Sequence, residues 1–141
     1  MAAPQADPAP VVLVVDDEPM VLHLMERALI EAGYCVQGAS NGLRALELAG
    51  TLPVPPDVLV TDLRMEPLNG ADLARLVTAK HPNTRVLLVS GYDPEHTDLT
   101  GPFLRKPFSP QELVHAVEQL ALAPSHGRSG VTGRAVRRVP A

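Results

Sequence analysis

The stretch Val-Val-Leu-Val-Val-Asp-Asp-Glu, residues 11–18, joins five consecutive apolar residues directly to three acidic ones. A short uninterrupted apolar run bounded by polar residues is typical of a strand that is covered on both faces of a parallel sheet. Four further segments are predicted to be strands, and the first of them is the weakest. They are YCVQGA at 34–39, DVLVT at 57–61, RVLLVS at 85–90 and FLR at 103–105.

Helical patterns with recognisable ends separate these runs. Pro19 suits the first position of a helix, and Gly33 suits the left-handed stop after it. Asn69 is predicted to cap a second helix, and Ser109 begins a capping box before another. A shorter helix is predicted at residues 42–49. Strands that alternate with helices in this way predict an α/β fold, in which a parallel sheet is covered by helices on both faces.

The composition is that of one soluble globular domain with short tails. Of the 141 residues, 45% are hydrophobic and 20% are charged. Only two Tyr and two Phe are present, which argues against stacking on nucleic-acid bases. The single cysteine, Cys35, excludes an internal disulfide and is expected to be a small buried hydrophobe. No apolar run is long enough to span a membrane and residues 1–10 lack a signal peptide pattern, so a cytoplasmic location is expected.

The charges are unevenly distributed along the chain. Residues 124–141 contain four arginines and no acidic residue, whereas the remainder carries 8 basic and 16 acidic residues. An acidic body argues against direct binding to a nucleic-acid backbone. We expect a disordered N-terminal tail at residues 1–9, a folded domain at 10–122 and a flexible basic tail at 123–141.

Polar side chains follow four of the predicted strands at the point where each strand ends. Asp16 and Asp17 follow the first strand, Asp62 follows the third, Ser90 ends the fourth and Lys106 follows the last. Ligands of an open parallel sheet bind outside the carboxyl ends of its strands. The sequence therefore predicts that three carboxylates, one hydroxyl and one ammonium group meet at one edge.

Three carboxylates in close proximity repel one another, and the pKa of at least one is raised unless a cation neutralises them. One lysine cannot balance three acids, whereas a divalent ion with oxygen ligands can. Mg²⁺ is the usual ion where a phosphate joins the site. The set is typical of phosphoryl transfer, with a carboxylate as the nucleophile.

Four motifs together resemble the receiver domain of bacterial two-component response regulators. They are VVLVVDDE (11–18), VTDLRMEPLNG (60–70), LLVSGY (87–92) and FLRKPF (103–108). The resemblance implies a flavodoxin-like (βα)5 fold with a doubly wound five-stranded sheet of order 2-1-3-4-5. It also implies a phosphorylation-dependent signalling protein that is not a metabolic enzyme and catalyses only its own phosphorylation and dephosphorylation.

The resemblance further implies a role for most of the polar residues at the predicted edge. Asp62 would accept a phosphoryl group from a sensor histidine kinase or a histidine phosphotransfer protein. Asp17, Asp62 and the backbone carbonyl of Arg64 would bind Mg²⁺ directly, and Asp16 would bind it through water. Lys106 would contact the phosphoryl group and neutralise part of its charge.

A conformational switch is also implied by the resemblance. The hydroxyl of Ser90 would move toward the phosphoryl group, and Phe103 would turn inward to fill the space behind it. This change would alter the surface around the last strand and its contacts with a downstream protein. The family commonly has a cis bond at the matching Lys-Pro step, so one is expected at Lys106–Pro107.

Two features depart from the family pattern. Only 15 residues separate Ser90 from Lys106, which predicts a shortened fourth helix and removes part of the face that family members usually use for dimerisation. Arg64 and Tyr92 lie two residues after Asp62 and Ser90, at positions that the family ties to the lifetime of the phosphoryl group. Both are bulky, so slow self-dephosphorylation is expected.

Two other functions are compatible with parts of the sequence. A receiver-like interaction module that no longer uses phosphate is favoured by the shortened helix but opposed by the complete polar set. A phosphohydrolase with an aspartyl nucleophile typically has a second acid two residues later, where this chain has Arg64. The residues after 123 are too few for a DNA-binding domain, so a stand-alone receiver that acts through protein contacts or in a phosphorelay is expected. The kinase, the output partner and the oligomeric state are not indicated.

Overall fold

Residues 9–91 and 101–122, the part of the chain that the computed structural model describes, contain five strands and four helices. The strands are β1 (Val11–Val15), β2 (Cys35–Ala39), β3 (Val58–Asp62), β4 (Arg85–Ser90) and β5 (Phe103–Arg105). The helices are α1 (Pro19–Glu31), α2 (Gly42–Thr51), α3 (Gly70–Lys80) and α4 (Pro110–Leu122).

All five strands are parallel and form one sheet in the order β2-β1-β3-β4-β5. Val12 of β1 pairs with Val36 of β2 on one side and with Val58 of β3 on the other. The predicted α/β class and the strand order are confirmed. The two predicted strands at 34–39 and 57–61 begin one residue later than expected, and β3 extends to include Asp62.

The sheet has a separate apolar layer on each face because successive side chains of a strand point to opposite sides. Val12 and Val14 point to the layer that α1 and α4 cover, where Met25 and Leu113 are fully buried. The alternate residues of β1 point to the layer under α2 and α3. Both faces of β1 and β3 are therefore closed to solvent, and only the ends of the strands are available to a ligand.

The predicted helix boundaries are mostly confirmed by their hydrogen bonds. Gly33 has a φ of +101° after α1, a conformation that costs glycine little. The side chain of Asn69 accepts from the backbone N–H of Asp72 at 2.8 Å. The capping box is complete, since the Ser109 hydroxyl accepts from the N–H of Glu112 at 3.1 Å and the Glu112 carboxylate accepts from the N–H of Ser109 at 2.8 Å.

The remaining expectations about the fold are confirmed in part. The cis bond at Lys106–Pro107 is present, and a second one at Glu66–Pro67 was not predicted. The prediction of a buried Cys35 is wrong because the residue is exposed. It lies on β2, an edge strand of which Ala39 alone is buried. The predicted shortened helix lies mostly at 92–100, outside the described residues. Within the described ranges, no helix is both long and apolar enough to cross a membrane.

Candidate functional site

The carboxyl ends of the strands are held in register by backbone hydrogen bonds that continue past the strands themselves. The N–H of Lys106 donates to the carbonyl of Ser90 at 2.9 Å, and the N–H of Asp16 donates to the carbonyl of Ala39 at 3.2 Å. The N–H of Leu63 donates to Val89 at 2.9 Å in the same way. These bonds fix the backbone on both sides of Asp62 and of Lys106, so their side chains leave the sheet at defined positions.

Three carboxylates converge at this edge, as the order of the polar residues predicted. One oxygen of each of Asp16, Asp17 and Asp62 lies within 4.8 Å of the others. Asp16 is fully buried and Asp62 is 6% exposed, whereas Asp17 faces solvent. The cluster therefore has two oxygen ligands inside the protein and one at the rim, with an opening toward water.

Lys106 is the ammonium group that faces the cluster. Its Nζ lies 3.0 Å from Oδ2 of Asp16 and 3.6 Å from Oδ1 of Asp62. It also contacts Oε1 of Glu18 at 3.3 Å. One positive charge thus stands against three contacting carboxylates, and Asp17 adds a further negative charge nearby. Among these five groups, negative charge exceeds positive charge.

The electrostatic consequence is visible in the ionisation of Asp62. Burial, followed by repulsion from Asp16, raises the pKa of Asp62 from 3.8 to about 6, although Lys106 acts in the opposite direction. Burial alone would lower the pKa of Lys106, but contact with Asp16 and attraction to Asp62 outweigh it and raise the pKa. The direction is the one that crowding of three carboxylates predicts, but burial contributes more to it than repulsion from Asp16 does.

The donor set fits a hard divalent cation. Oδ2 of Asp16 is buried and has no aligned hydrogen-bond donor. The ammonium of Lys106 approaches this oxygen to 3.0 Å and forms an ion pair with it. Three convergent carboxylate oxygens with unused lone pairs are ligands that Mg²⁺ accepts, alongside water.

The remaining residues of the predicted site occupy different positions. Ser90 is buried at the end of β4, beside the cluster in the sheet order. Phe103 is half-buried and pairs with Leu88 across β4 and β5. Arg64 is exposed in the loop after β3. Tyr92 lies outside the described residues. The metal-binding, switch and dephosphorylation roles assigned to these residues stay predictions.

Two residues of the site were not singled out from the sequence. The carboxylate of Glu18 contacts Lys106. One feature of the sequence draws attention to Glu18: it directly precedes the helix but is not one of the residue types preferred as an N-cap, so its side chain is available for another contact. At Gly70, an added Cβ would overlap the carbonyl oxygen of Asp62. The local sequence predicts a helix start at Asn69, and nothing in it indicates that the backbone of Asp62 lies against Gly70.

Comparison with known proteins agrees with this geometry. The family model of the response regulator receiver domain matches residues 12–118. The chain is 32% identical to the alkaline phosphatase synthesis transcriptional regulatory protein SphR of Synechococcus elongatus over 124 residues, which cover 79% of the chain and 48% of SphR. The chain therefore spans about half the length of this relative.

Two solved structures have the same fold. A response regulator receiver protein from Sinorhizobium medicae gives a TM-score of 0.74 at 32% identity, over 82% of this chain and 96% of that one. The response regulator TrrA of Thermotoga maritima, in complex with Mg²⁺-BeF, gives 0.70 at 29% identity, over 79% and 98%. The family model, the relatives and the fold agree, and the chain belongs to the response regulator receiver family.

Proposed function

We propose that Asp62 accepts a phosphoryl group from a phosphohistidine and that this modification switches the contacts of the domain with a downstream protein. The observation that carries the proposal is the position of the Asp62 carboxylate, which lies with those of Asp16 and Asp17 and 3.6 Å from the ammonium of Lys106. A nucleophile with two acids and a cation around it is suited to phosphoryl transfer.

The transfer exchanges one bond to phosphorus for another. A carboxylate oxygen of Asp62 attacks phosphorus and forms an acyl phosphate, while the P–N bond breaks and its electron pair returns to the imidazole of the donor, which then takes up a proton. Attack by water on the acyl phosphate returns Asp62 and inorganic phosphate. The donor is a sensor histidine kinase or a histidine phosphotransfer protein.

The charge at the site supports a requirement for Mg²⁺. Asp16, Asp17 and Asp62, with the backbone carbonyl of Arg64, would hold the ion. When bound, Mg²⁺ would neutralise the carboxylates and the transferring group. Lys106 provides a second cation, because a lysine is protonated at neutral pH and contact with Asp16 raises its pKa further.

The phosphoryl group would bring roughly −1.5 to −2 charges and three acceptor oxygens to this edge. Ser90 provides a hydroxyl donor on the adjacent strand β4, and Phe103 on β5 is the side chain proposed to respond to its movement. Arg64 and Tyr92 are proposed to obstruct the attacking water and so to prolong the phosphorylated state. The output is a change in protein contacts or onward transfer in a phosphorelay.

The direct test is incubation with Mg²⁺ and acetyl phosphate, followed by intact-mass analysis. We expect the wild type to gain one phosphoryl group and Asp62→Asn to gain none. Asp57→Asn is the matched control because Asp57 directly precedes the same strand, away from the cluster, and it should be modified like the wild type. Chelation of Mg²⁺ should abolish the adduct.

An unmodified wild type, or an equal adduct on Asp62→Asn, would contradict the proposal. The first result would favour the alternative function of a phosphate-independent interaction module. The second would place the modification on another residue, which peptide mapping would identify.

A further inference from the structure

The ammonium of Lys106 is shared among three carboxylates that differ in how readily each can be replaced. Asp16 is fully buried, and the side chain of Asp62 is 8% exposed. The side chain of Glu18 is 64% exposed. Glu18 is also closer to the ammonium than Asp62 is, at 3.3 Å against 3.6 Å. Glu18 is therefore the partner that can be exchanged for water at the smallest cost.

The position of Glu18 at the start of α1 leaves its side chain free for this contact. It occupies the N-cap of the helix, but its side chain makes no capping hydrogen bond. Its backbone N–H instead donates to Oδ1 of Asp16 at 2.9 Å. The other oxygen of Asp16 contacts Lys106, so Asp16, Glu18 and Lys106 form a closed ring of contacts. This ring fixes where the carboxylate of Glu18 meets the ammonium.

We propose that Glu18 is a positioning residue that holds Lys106 back from Asp62 in the unphosphorylated protein and competes with the phosphoryl group for the ammonium. The inference rests on the function proposed above, because it concerns the regulation of the same site. A phosphoryl group on Asp62 offers Lys106 new anionic oxygens, and Lys106 leaves Glu18 to reach them. Glu18 thereby favours the unmodified state and sets part of the free-energy difference between the two states.

The expected effect follows from the exposure of the ion pair. An exposed pair contributes about 0.2 to 1 kcal/mol, so its removal should change an equilibrium by about 1.4-fold to 5-fold. Beryllofluoride with Mg²⁺ is the probe, since it forms a stable analogue of the acyl phosphate. Glu18→Gln should bind beryllofluoride more tightly than the wild type by a factor in this range, and the gain should shrink as salt is raised.

A control is needed because loss of any nearby negative charge favours binding of an anion. Glu66→Gln removes the same charge from the exposed loop after β3. Glu66 is not among the carboxylates that contact Lys106 in the described ranges. Glu66→Gln should therefore give a smaller gain than Glu18→Gln, and the difference between the two variants measures the contact itself.

The lysine content of the chain allows a direct spectroscopic readout. Only two lysines are present, Lys80 and Lys106, so lysine labelled with ¹³C at the ε carbon gives two assignable NMR signals. In the free protein, Glu18→Gln should shift the signal of Lys106 but not that of Lys80, and Glu66→Gln should shift neither. With beryllofluoride bound, the Lys106 signals of wild type and Glu18→Gln should coincide.

Each other outcome overturns the inference. Equal gains from the two variants would mean that net charge alone acts, and weaker binding by Glu18→Gln would mean that Glu18 supports the modified state. An unmoved Lys106 signal would mean that the contact does not form in solution. A wild type that binds beryllofluoride and is phosphorylated retains the proposed function in all three cases, whereas a wild type that does neither overturns both proposals.

Discussion

The two ends of strand β3 carry the same residue type in opposite situations. Asp57 immediately precedes the strand, and its carboxylate accepts from the backbone N–H of Val11 at 2.8 Å. The backbone N–H of Asp57 donates to the carbonyl of Val11 at 2.8 Å, and its carbonyl accepts from the backbone N–H of Arg85 at 2.9 Å. At the other end, Asp62 faces Asp16 and Asp17, and its carboxylate lies 3.6 Å from the ammonium of Lys106.

The two edges of the sheet separate groups that stabilise the fold from groups that are available for function. At the amino edge, the side chains of Asp57 and Thr84 both have backbone partners; the hydroxyl of buried Thr84 donates to the carbonyl of Pro56 at 2.6 Å. At the carboxyl edge, negative charge exceeds positive charge, and the pKa of Asp62 is raised. An unmatched edge costs folding free energy in the free protein, but it leaves binding capacity for a cation and a phosphoryl group.

A substitution that moves the backbone of the carboxyl edge should cause the greatest loss in the free energy of unfolding. In Gly70→Ala, the new Cβ would overlap the carbonyl oxygen of Asp62 and lie 3.0 Å from Cα of Leu63. We expect a loss of about 3 kcal/mol in the free energy of unfolding, because backbone must shift rather than a flexible side chain. Urea denaturation would measure it.

The matched control for this substitution is Gly50→Ala in helix α2. A Cβ at Gly50 meets nothing within 4 Å, and alanine stabilises a helix by up to about 1 kcal/mol relative to glycine. This variant should therefore unfold at the same or a higher urea concentration. A Gly70→Ala protein as stable as Gly50→Ala would show that the close approach to Asp62 is not a constraint.

Replacement of Asp62 and of Asp57 should change the free energy of unfolding in opposite directions. In the metal-free protein at pH 7, Asp62→Asn should raise the free energy of unfolding by about 1 to 2 kcal/mol, a value reduced from the full pKa shift because the site opens to solvent. Asp57→Ala should lower it by about 1 kcal/mol through loss of the bond to Val11. Effects of the same sign, measured by urea denaturation, would refute the contrast between the two ends.

The free energy of unfolding should also depend on pH, and this is the smallest of the expected effects. The folded protein binds a proton at Asp62 more tightly than the unfolded chain does, since the pKa is raised from 3.8 to about 6. Stability contributed by Asp62 is therefore present at low pH and declines as pH rises between these two values. The difference in unfolding free energy between wild type and Asp62→Asn should grow over this window and level off above it. A difference that stays constant with pH would contradict the raised pKa.

Local signals predicted the elements well, because a cap or a strand depends on neighbouring residues. Asn69 and Ser109 make the hydrogen bonds that their positions in the sequence implied. The convergence of Asp16 and Asp62 followed from a rule of topology, since parallel strands place their carboxyl ends at one edge. The prediction of a buried Cys35 is wrong because burial of an edge strand depends on what covers it, which the sequence of the strand does not specify.

The elements, the edge at which the acids gather and the resemblance to a family can all be predicted from the amino-acid sequence, since they depend on periodicity and on the order of motifs. The contact of Glu18 with the ammonium of Lys106 and that of Gly70 with the carbonyl of Asp62 become visible in the folded protein alone. Local patterns cannot predict such contacts because they join residues that are distant in the chain. Glu18 and Lys106 are 88 residues apart in the chain, so their contact depends on the relative placement of β1, β5 and α1, which no local pattern encodes.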